Sequence, residues 1–271
     1  MPVSYSAGMQ LQRITIFPIK ALDGVEVREA RITAGGILEH DRTYAIADRE
    51  GKVVNGKRTP RVHALRSEFS ADFCEVALWE EGAPSARQQF VFTDPDPLQR
   101  WLSAFFGFEV ELWSEPQSGF PDDRAAFGPT VVSEASLREV TNWFPDVTLE
   151  SARRRFRTNL EIGGDEAVPF WEDRLYGQPE TLTPFRIGAV ELRGHNPCQR
   201  CAVPPRDQST GEAIAGFQKT FMERRQATLP PWATVSRFNH YYRFAVNTSV
   251  PPSEAGKTLR VGEGLTLGSN V

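Results

Sequence analysis

Long apolar runs are missing from this chain. No stretch approaches the roughly 18 residues that a membrane helix needs, so no helical span and no membrane partner are expected. The first residues, "MPVSYSAGMQ", lack a basic region followed by an apolar run, so no secretory leader is expected. Cysteine is scarce. Three is an odd and small number, which argues against a disulfide framework and makes a reducing cytoplasm the expected compartment. An excess of basic charge is also missing: 31 Lys and Arg stand against 35 Asp and Glu, a net charge of -4. That balance gives no electrostatic case for nucleic acid as a partner. There is no Walker A sequence, no Gly-x-Ser-x-Gly elbow, no internal repeat and no low-complexity tract. "GEGLTLG" near the end imitates a dinucleotide loop, but it lacks the following helix whose N-terminus would hold a pyrophosphate, so it reads as strand and turn.

What is present is an ordinary globular composition, 40% hydrophobic and 24% charged over 271 residues. That length suffices for one large domain or two small ones. The first half alternates apolar and polar residues in short strands. "LQRITIFPI" does so from Leu11 to Phe17, and "VEVREARIT" from Val25 to Thr33. "RTYAIADREGKVVN" predicts a hairpin turning at Arg49 to Gly51. "CEVALW", "QFVFT" and "FEVELW" follow. One helix interrupts them, with Asp96 as cap, Pro97 in the first position, and Leu98, Trp101, Leu102 and Phe105 on its apolar face. Residues 118–129, "SGFPDDRAAFGP", read as a linker or boundary loop. Beyond it, Ser133 predicts an N-cap for a helix carrying Leu137, Val140 and Phe144. "RTNLEIGG", "FRIGAVELRG", "YYRFAVNT" and "LRVGEGLTLG" read as strands, and "GFQKTFMERR" as one more helix. Many strands and few helices predict a mixed, β-rich fold built from barrels.

The stretch "RGHNPCQRCAVPPRDQSTG", Arg193 to Gly211, carries the chemistry. Cys198 and Cys201 form a Cys-x-x-Cys pair. A redox pair belongs at a helix start, and Pro204 and Pro205 leave no room for a helix beyond its first turn. Zinc held by His195, Cys198 and Cys201 is a second reading. The zinc deaminases also need His-x-Glu, which none of the four histidines begins. A buried pair in a loop is the third reading, since free cysteine packs well in interiors.

The wider context is more specific. "CQRCAVPPRDQSTGE" has the form Arg-Cys, five residues, then Asp-x-x-Thr-Gly. This resembles the signature of the MOSC family, named for the C-terminal domain of molybdenum cofactor sulfurase. "ITIFPIKALDGVEVREARITAGGILEHDRTYAI" resembles the β-barrel domain that precedes MOSC domains. "VVSEASLREV" with "RRFRTNLEIGG" resembles the middle of the MOSC domain itself. The segments occur in family order and cover most of the chain. Amidoxime-reducing proteins are among the described members.

The resemblance implies an N-terminal MOSC β-barrel domain over residues 8–117 and a MOSC domain over residues 118–271. It implies a molybdenum cofactor in the molybdopterin form, with Cys201 as the thiolate ligand of the metal and the catalytic residue. Lys20, Arg42, Arg157, Asn159 and Arg200 would join Cys201 in binding the cofactor, and Cys198 would pack beside it. The implied activity is reduction of small N-hydroxylated compounds, with electrons from separate electron-transfer proteins of the reductase, ferredoxin or cytochrome type. The alternative is a cofactor carrier or sulfur-transfer protein acting through Cys201. The chain departs from the family pattern at Ala21, where serine is expected, and at Ala202 to Pro205, where a Thr-Thr pair is expected. Asp122 and Asp123 fall where the family carries an Asp-Thr-Ser segment, without a matched position.

Overall fold

The structure is a computed structural model and describes residues 5–123, 125–165 and 167–268. The end of the expected second domain, 269–271, lies outside the described residues. In chain order the strands are β1 (Tyr5–Ile16), β2 (Val25–Val27), β3 (Glu29–Arg31), β4 (Tyr44–Asp48), β5 (Leu65–Phe69), β6 (Glu75–Glu80) and β7 (Gln88–Val91). They continue as β8 (Val110–Ser114), β9 (Val131–Ser133), β10 (Leu160–Gly163), β11 (Thr183–Ile187), β12 (Val190–Gln199), β13 (Arg243–Ser249), β14 (Thr258–Arg260) and β15 (Gly264–Leu267). Four α-helices occur among the described residues: α1 (Pro95–Phe106), α2 (Glu134–Trp143), α3 (Leu149–Phe156) and α4 (Phe217–Ala227).

Strands β10, β9, β13, β12, β11, β15 and β1 pair in that order, and β1 pairs back onto β10. That closes a seven-stranded barrel with β2 added beside β1. Closure removes the unpaired edges an open sheet would expose. All the pairings are antiparallel except β9 with β10. The interior is filled by Leu11, Ile14, Leu160, Ile162, Phe185, Leu192 and Val246, among others. β1 buries Met9, Leu11, Ile14 and Ile16. The spacing slips by one residue between Leu11 and Ile14, where the register with β10 shifts. A bulge there keeps both side chains inside although strict alternation would turn one out.

The two halves of the sequence interleave in space. β1 and β2 belong to the barrel, and β3 pairs with β14 near the other end of the chain. The rest of the first half makes a smaller layer: β4 with β8, the meander β5-β6-β7, and α1, around Ile46, Leu78, Leu98 and Leu102. A third cluster packs α2, α3 and α4 around Phe156, Phe221 and Phe244.

Two local expectations need correction. α1 starts at Pro95 with Asp94 as its N-cap residue, two positions before the expected Asp96 and Pro97. "DPDP" repeats one signal, and the first copy is used. Helix α3 is absent from the sequence reading, because three consecutive arginines hide its short apolar face of Ala152 and Phe156. At α2 the Ser133 side chain accepts a hydrogen bond from Ser136 N, as expected.

Candidate functional site

A cleft of about 640 Å³ opens between the barrel and the smaller layer. That volume is in the range of small-molecule sites. Lys20, Arg42, Arg157, Asn159, Arg200 and Cys201 all line it, so residues spread over 181 positions converge. Its wall holds seven lysine and arginine side chains against three aspartates, although the whole chain is net acidic. Such a concave cationic surface favours an anionic ligand.

Lys20 follows the bridge residue Ile19, which pairs with Tyr44. Its Nζ donates to Phe120 O at 2.9 Å and Pro121 O at 3.2 Å, and pairs with Asp122 Oδ1 at 2.9 Å. The segment 118–123 is therefore drawn across the cleft as part of its wall and is more than a linker. Gly119 (φ 58°) makes this possible, since an added Cβ would come within 2.9 Å of Asp41 O. Burial would raise the Asp122 pKa, but Lys20 and Arg42 pull it down to about 2. The Asp122 side chain is itself 72% exposed, so crowding by the cleft wall rather than enclosure supplies the desolvation, and solvent screening tempers the attraction.

Arg42 pairs with Asp41 and donates to Asn159 Oδ1 at 3.4 Å. Burial opposes its charge, but Asp41 and Asp122 outweigh that and raise its pKa. Asn159 is 1% exposed and its amide is in use. Its Oδ1 accepts from Thr130 N and Thr130 Oγ1, both at 3.2 Å, and its Nδ2 donates to Thr15 O at 3.1 Å. Asn159 thus ties β1 to the start of β9 and holds Arg42 in place.

Arg157 is different. It caps the C-terminus of α3 in the left-handed conformation, φ 50°. Its guanidinium lies over the Phe17 ring, 4.2 Å from the centroid, with no hydrogen bond or ion pair among the described residues. Burial and the neighbouring Arg42 charge lower its pKa to about 10, so it remains a cation at neutral pH. Ala21 (φ 75°) and Arg42 (φ 51°) share the left-handed backbone. Non-glycine residues held this way cost energy and concentrate at functional sites.

The cysteine loop follows β12. Arg200 donates through NH1 to Cys198 Sγ at 3.3 Å and through NH2 to Phe156 O, and it stacks over the Phe156 ring. Its Nε is buried without a partner. Cys198 lines the cleft beside Cys201. Cys201 is half-buried and makes no hydrogen bond among the described residues. The nearby Tyr242 hydroxyl is buried and unpartnered. Burial raises its pKa, and Cys201 adds to that, so it stays protonated. His195 does not complete a zinc set: its Nε2 is engaged with Ser249 Oγ at 2.7 Å. No three His, Cys, Asp or Glu side chains converge as a metal set among the described residues.

The turn after Cys201 is clamped by a residue the sequence did not single out. Arg155 is 3% exposed and donates through NH1 to Pro204 O at 3.1 Å and Pro205 O at 3.0 Å. Its NH2 reaches Asp207 Oδ2 at 3.3 Å. Asp207 Oδ1 in turn accepts from Ser209 N and Thr210 N. In "ARRRFR" Arg155 lies three positions after the buried Ala152, on the inward side of the helix, and that was the available signal.

A model of the MOSC N-terminal beta barrel domain matches residues 8–100, and a model of the MOSC domain matches residues 120–266. The chain is 29% identical over 234 residues to a molybdenum cofactor sulfurase of Drosophila grimshawi, covering 75% of this chain and 29% of that protein. It is 23% identical over 238 residues to mitochondrial amidoxime-reducing component 1 of Homo sapiens, covering 73% and 66%. The chain therefore spans less than a third of the length of that sulfurase. A solved structure, the YUAD protein from Bacillus subtilis, matches 96% of this chain and 95% of its own at 8% identity and TM-score 0.38, and nothing rests on that likeness. No helix among the described residues is long and apolar enough to cross a membrane. With the MOSC domain model alone matching over half of its length, and the N-terminal model directly before it, the chain belongs to the MOSC family.

Proposed function

We propose that this protein is a molybdenum-cofactor-dependent reductase of small N-hydroxylated compounds, such as amidoximes and N-hydroxylated bases, supplied with electrons by separate electron-transfer proteins. One observation carries the reading: in a single cationic cleft, a half-buried thiol at Cys201 faces the same space as an Arg157 guanidinium with no polar partner. The printed names of the relatives, a molybdenum cofactor sulfurase and an amidoxime-reducing component, support the same direction.

The residues fit such a cofactor chemically. Cys201 offers a soft thiolate of the kind that suits molybdenum with sulfur donors. Arg157 has its donors unspent, and a forked guanidinium suits a phosphate or a polar pterin edge. Lys20 and Arg42 offset negative charge on the bound group. Asn159 orients Arg42, and Arg200 orients the cysteine loop. In this reading residues 8–117 contribute Lys20 and Arg42, and residues 118–271 contribute the remainder. When bound, the cofactor supplies the two-electron chemistry, and the protein orients and insulates it. For an amidoxime, R–C(=N–OH)–NH2 takes up two electrons and two protons, the N–O bond breaks, and R–C(=NH)–NH2 and water leave.

The test is metal analysis of protein made in a host that synthesises molybdopterin, followed by reduction of an amidoxime with an artificial electron donor. Molybdenum-loaded protein that reduces the amidoxime supports the reading. A loaded but inactive protein overturns it in favour of a carrier or sulfur-transfer role through Cys201, the reading to which the sulfurase relative lends support.

A further inference from the structure

One polar wall of the cleft is not among the cofactor contacts proposed above. Asn196 on β12 and Asn247 on β13 are opposed cross-strand partners. Asp123 reaches them from the segment that Lys20 draws across the cleft. All three line the same space as Cys201. Asn247 is 6% exposed, so its amide needs partners. Its Nδ2 donates to Asp123 Oδ2 and to Asn196 Oδ1, each at 3.1 Å.

The order of these bonds decides which atoms are offered to a ligand. A carboxylate can only accept, so Asn247 has to turn its Nδ2 towards Asp123. Opposite that Nδ2, Asn196 has to present its oxygen. A flip of either amide would set acceptor against acceptor or donor against donor. Asn196 Nδ2 and Asn247 Oδ1 are then left without partners among the described residues. Among the described residues Asp123 keeps lone pairs to spare, since Oδ1 takes only Ala125 N, at 2.9 Å, and Oδ2 only Asn247. The wall offers acceptors at Asp123 and Asn247 and one donor at Asn196.

We propose that Asp123, Asn247 and Asn196 recognise the N–H groups beside the N–O bond, and so select amidoximes and similar amino-N-hydroxy compounds over N-oxides that carry no N–H. An amidoxime gives its amino hydrogens to Asp123 and Asn247 Oδ1 and accepts from Asn196 Nδ2. An N-oxide gives no hydrogen, and its binding desolvates the remaining lone pairs of the Asp123 carboxylate without pairing them, which penalises the wrong ligand. Asp123 and Asn196 touch the substrate, and Asn247 also acts as the positioning residue for both. The inference rests on the reductase reading for the reaction but not for the binding.

The experiment is calorimetric titration of the cofactor-loaded protein with benzamidoxime and, separately, pyridine N-oxide, with no electron donor. Parent, Asp123→Ala and Asn247→Leu are compared. The parent is expected to bind benzamidoxime about tenfold or more tightly than pyridine N-oxide, and each variant to lose about tenfold on benzamidoxime while holding pyridine N-oxide at least as well as the parent does. A purely structural role would weaken both ligands alike. That pattern, or equal binding of the two ligands by the parent, overturns the wall. If Asn247→Leu fails to fold, Asp123→Ala in its partly exposed segment gives the same readout. A parent with the expected binding pattern that does not reduce benzamidoxime overturns the reductase and leaves the wall standing.

Discussion

The Arg157 guanidinium sits 4.2 Å from the centre of the Phe17 ring, parked on an aromatic face. The two residues come from α3 and from the turn after β1, and only the closed barrel brings them together. A cation stored on a ring face at this depth is ready to meet an anion without first breaking a salt bridge. Arg157→Ala is expected to lower cofactor retention by about 1.5–3 kcal/mol, the worth of a charge-assisted hydrogen bond. The fold should survive, because the ring contact is worth only about 0.5–2 kcal/mol. Molybdenum per folded protein measures it, and a normal content would remove Arg157 from the site.

The two cysteines should separate. Cys201→Ser should abolish N-hydroxyl reduction even where cofactor remains, because an oxygen ligand is harder than sulfur. Cys198→Ser keeps the loop and the Arg200 contact in altered form, so a loss of about 1 kcal/mol of stability and partial activity are expected. Parallel activity and metal assays on both variants check this. Equal loss of metal from both would point to shared ligation instead.

Arg155 holds the loop from behind. Arg155→Met would keep the buried volume but leave Pro204 O without a donor and Pro205 O with Ile214 N alone, at a cost of about 1–3 kcal/mol. Asp207→Asn should cost less than about 1 kcal/mol, because that partner is partly exposed. Urea midpoints for the two variants give the ranking. A lower cofactor content in Arg155→Met alone would tie the clamp to the Cys201 loop.

Glu172 gives the protein a pH dependence away from the cleft. It is 1% exposed, accepts from Ser136 Oγ at 2.8 Å, and its Oε1 has no partner. Burial, with Asp173 alongside, raises its pKa to about 7. A carboxyl raised on folding binds its proton more tightly in the native state. Its contribution is therefore complete below about pH 4.5 and is lost as pH rises through about 7, on the order of 3 kcal/mol in all. Glu172→Gln should flatten the thermal stability profile between about pH 5 and about pH 8. An unchanged slope would mean that Glu172 ionises normally.

Much of the site was legible in the sequence because motif order is a property of the chain alone. Lys20, Arg42, Arg157, Asn159, Arg200 and Cys201 were named because the motifs around them resemble those of the MOSC family, and all of them line one cleft. Strand positions were legible for a similar reason, since alternation is local. The destinations of the arginines in "ARRRFR" were not. Arg153 pairs with Glu161, Arg155 clamps the cysteine loop, and Arg157 enters the cleft. Rotation about the helix sorts neighbours onto different faces, and the left-handed cap redirects the last of them.

By itself, the sequence determined the β-rich character, the cysteine loop and the basic and thiol residues that line the cleft. Only the tertiary structure decided that β1 closes the barrel between β10 and β15 across a bulge, and so which side chains face inward. It also decided that residues 118–123 form a wall of the site, with Asn247 bonded there to both Asp123 and Asn196. Those contacts join residues more than 50 positions apart. Their geometry follows from strand register and barrel closure, which are set by pairing across the whole chain, and no local pattern of residue types records it.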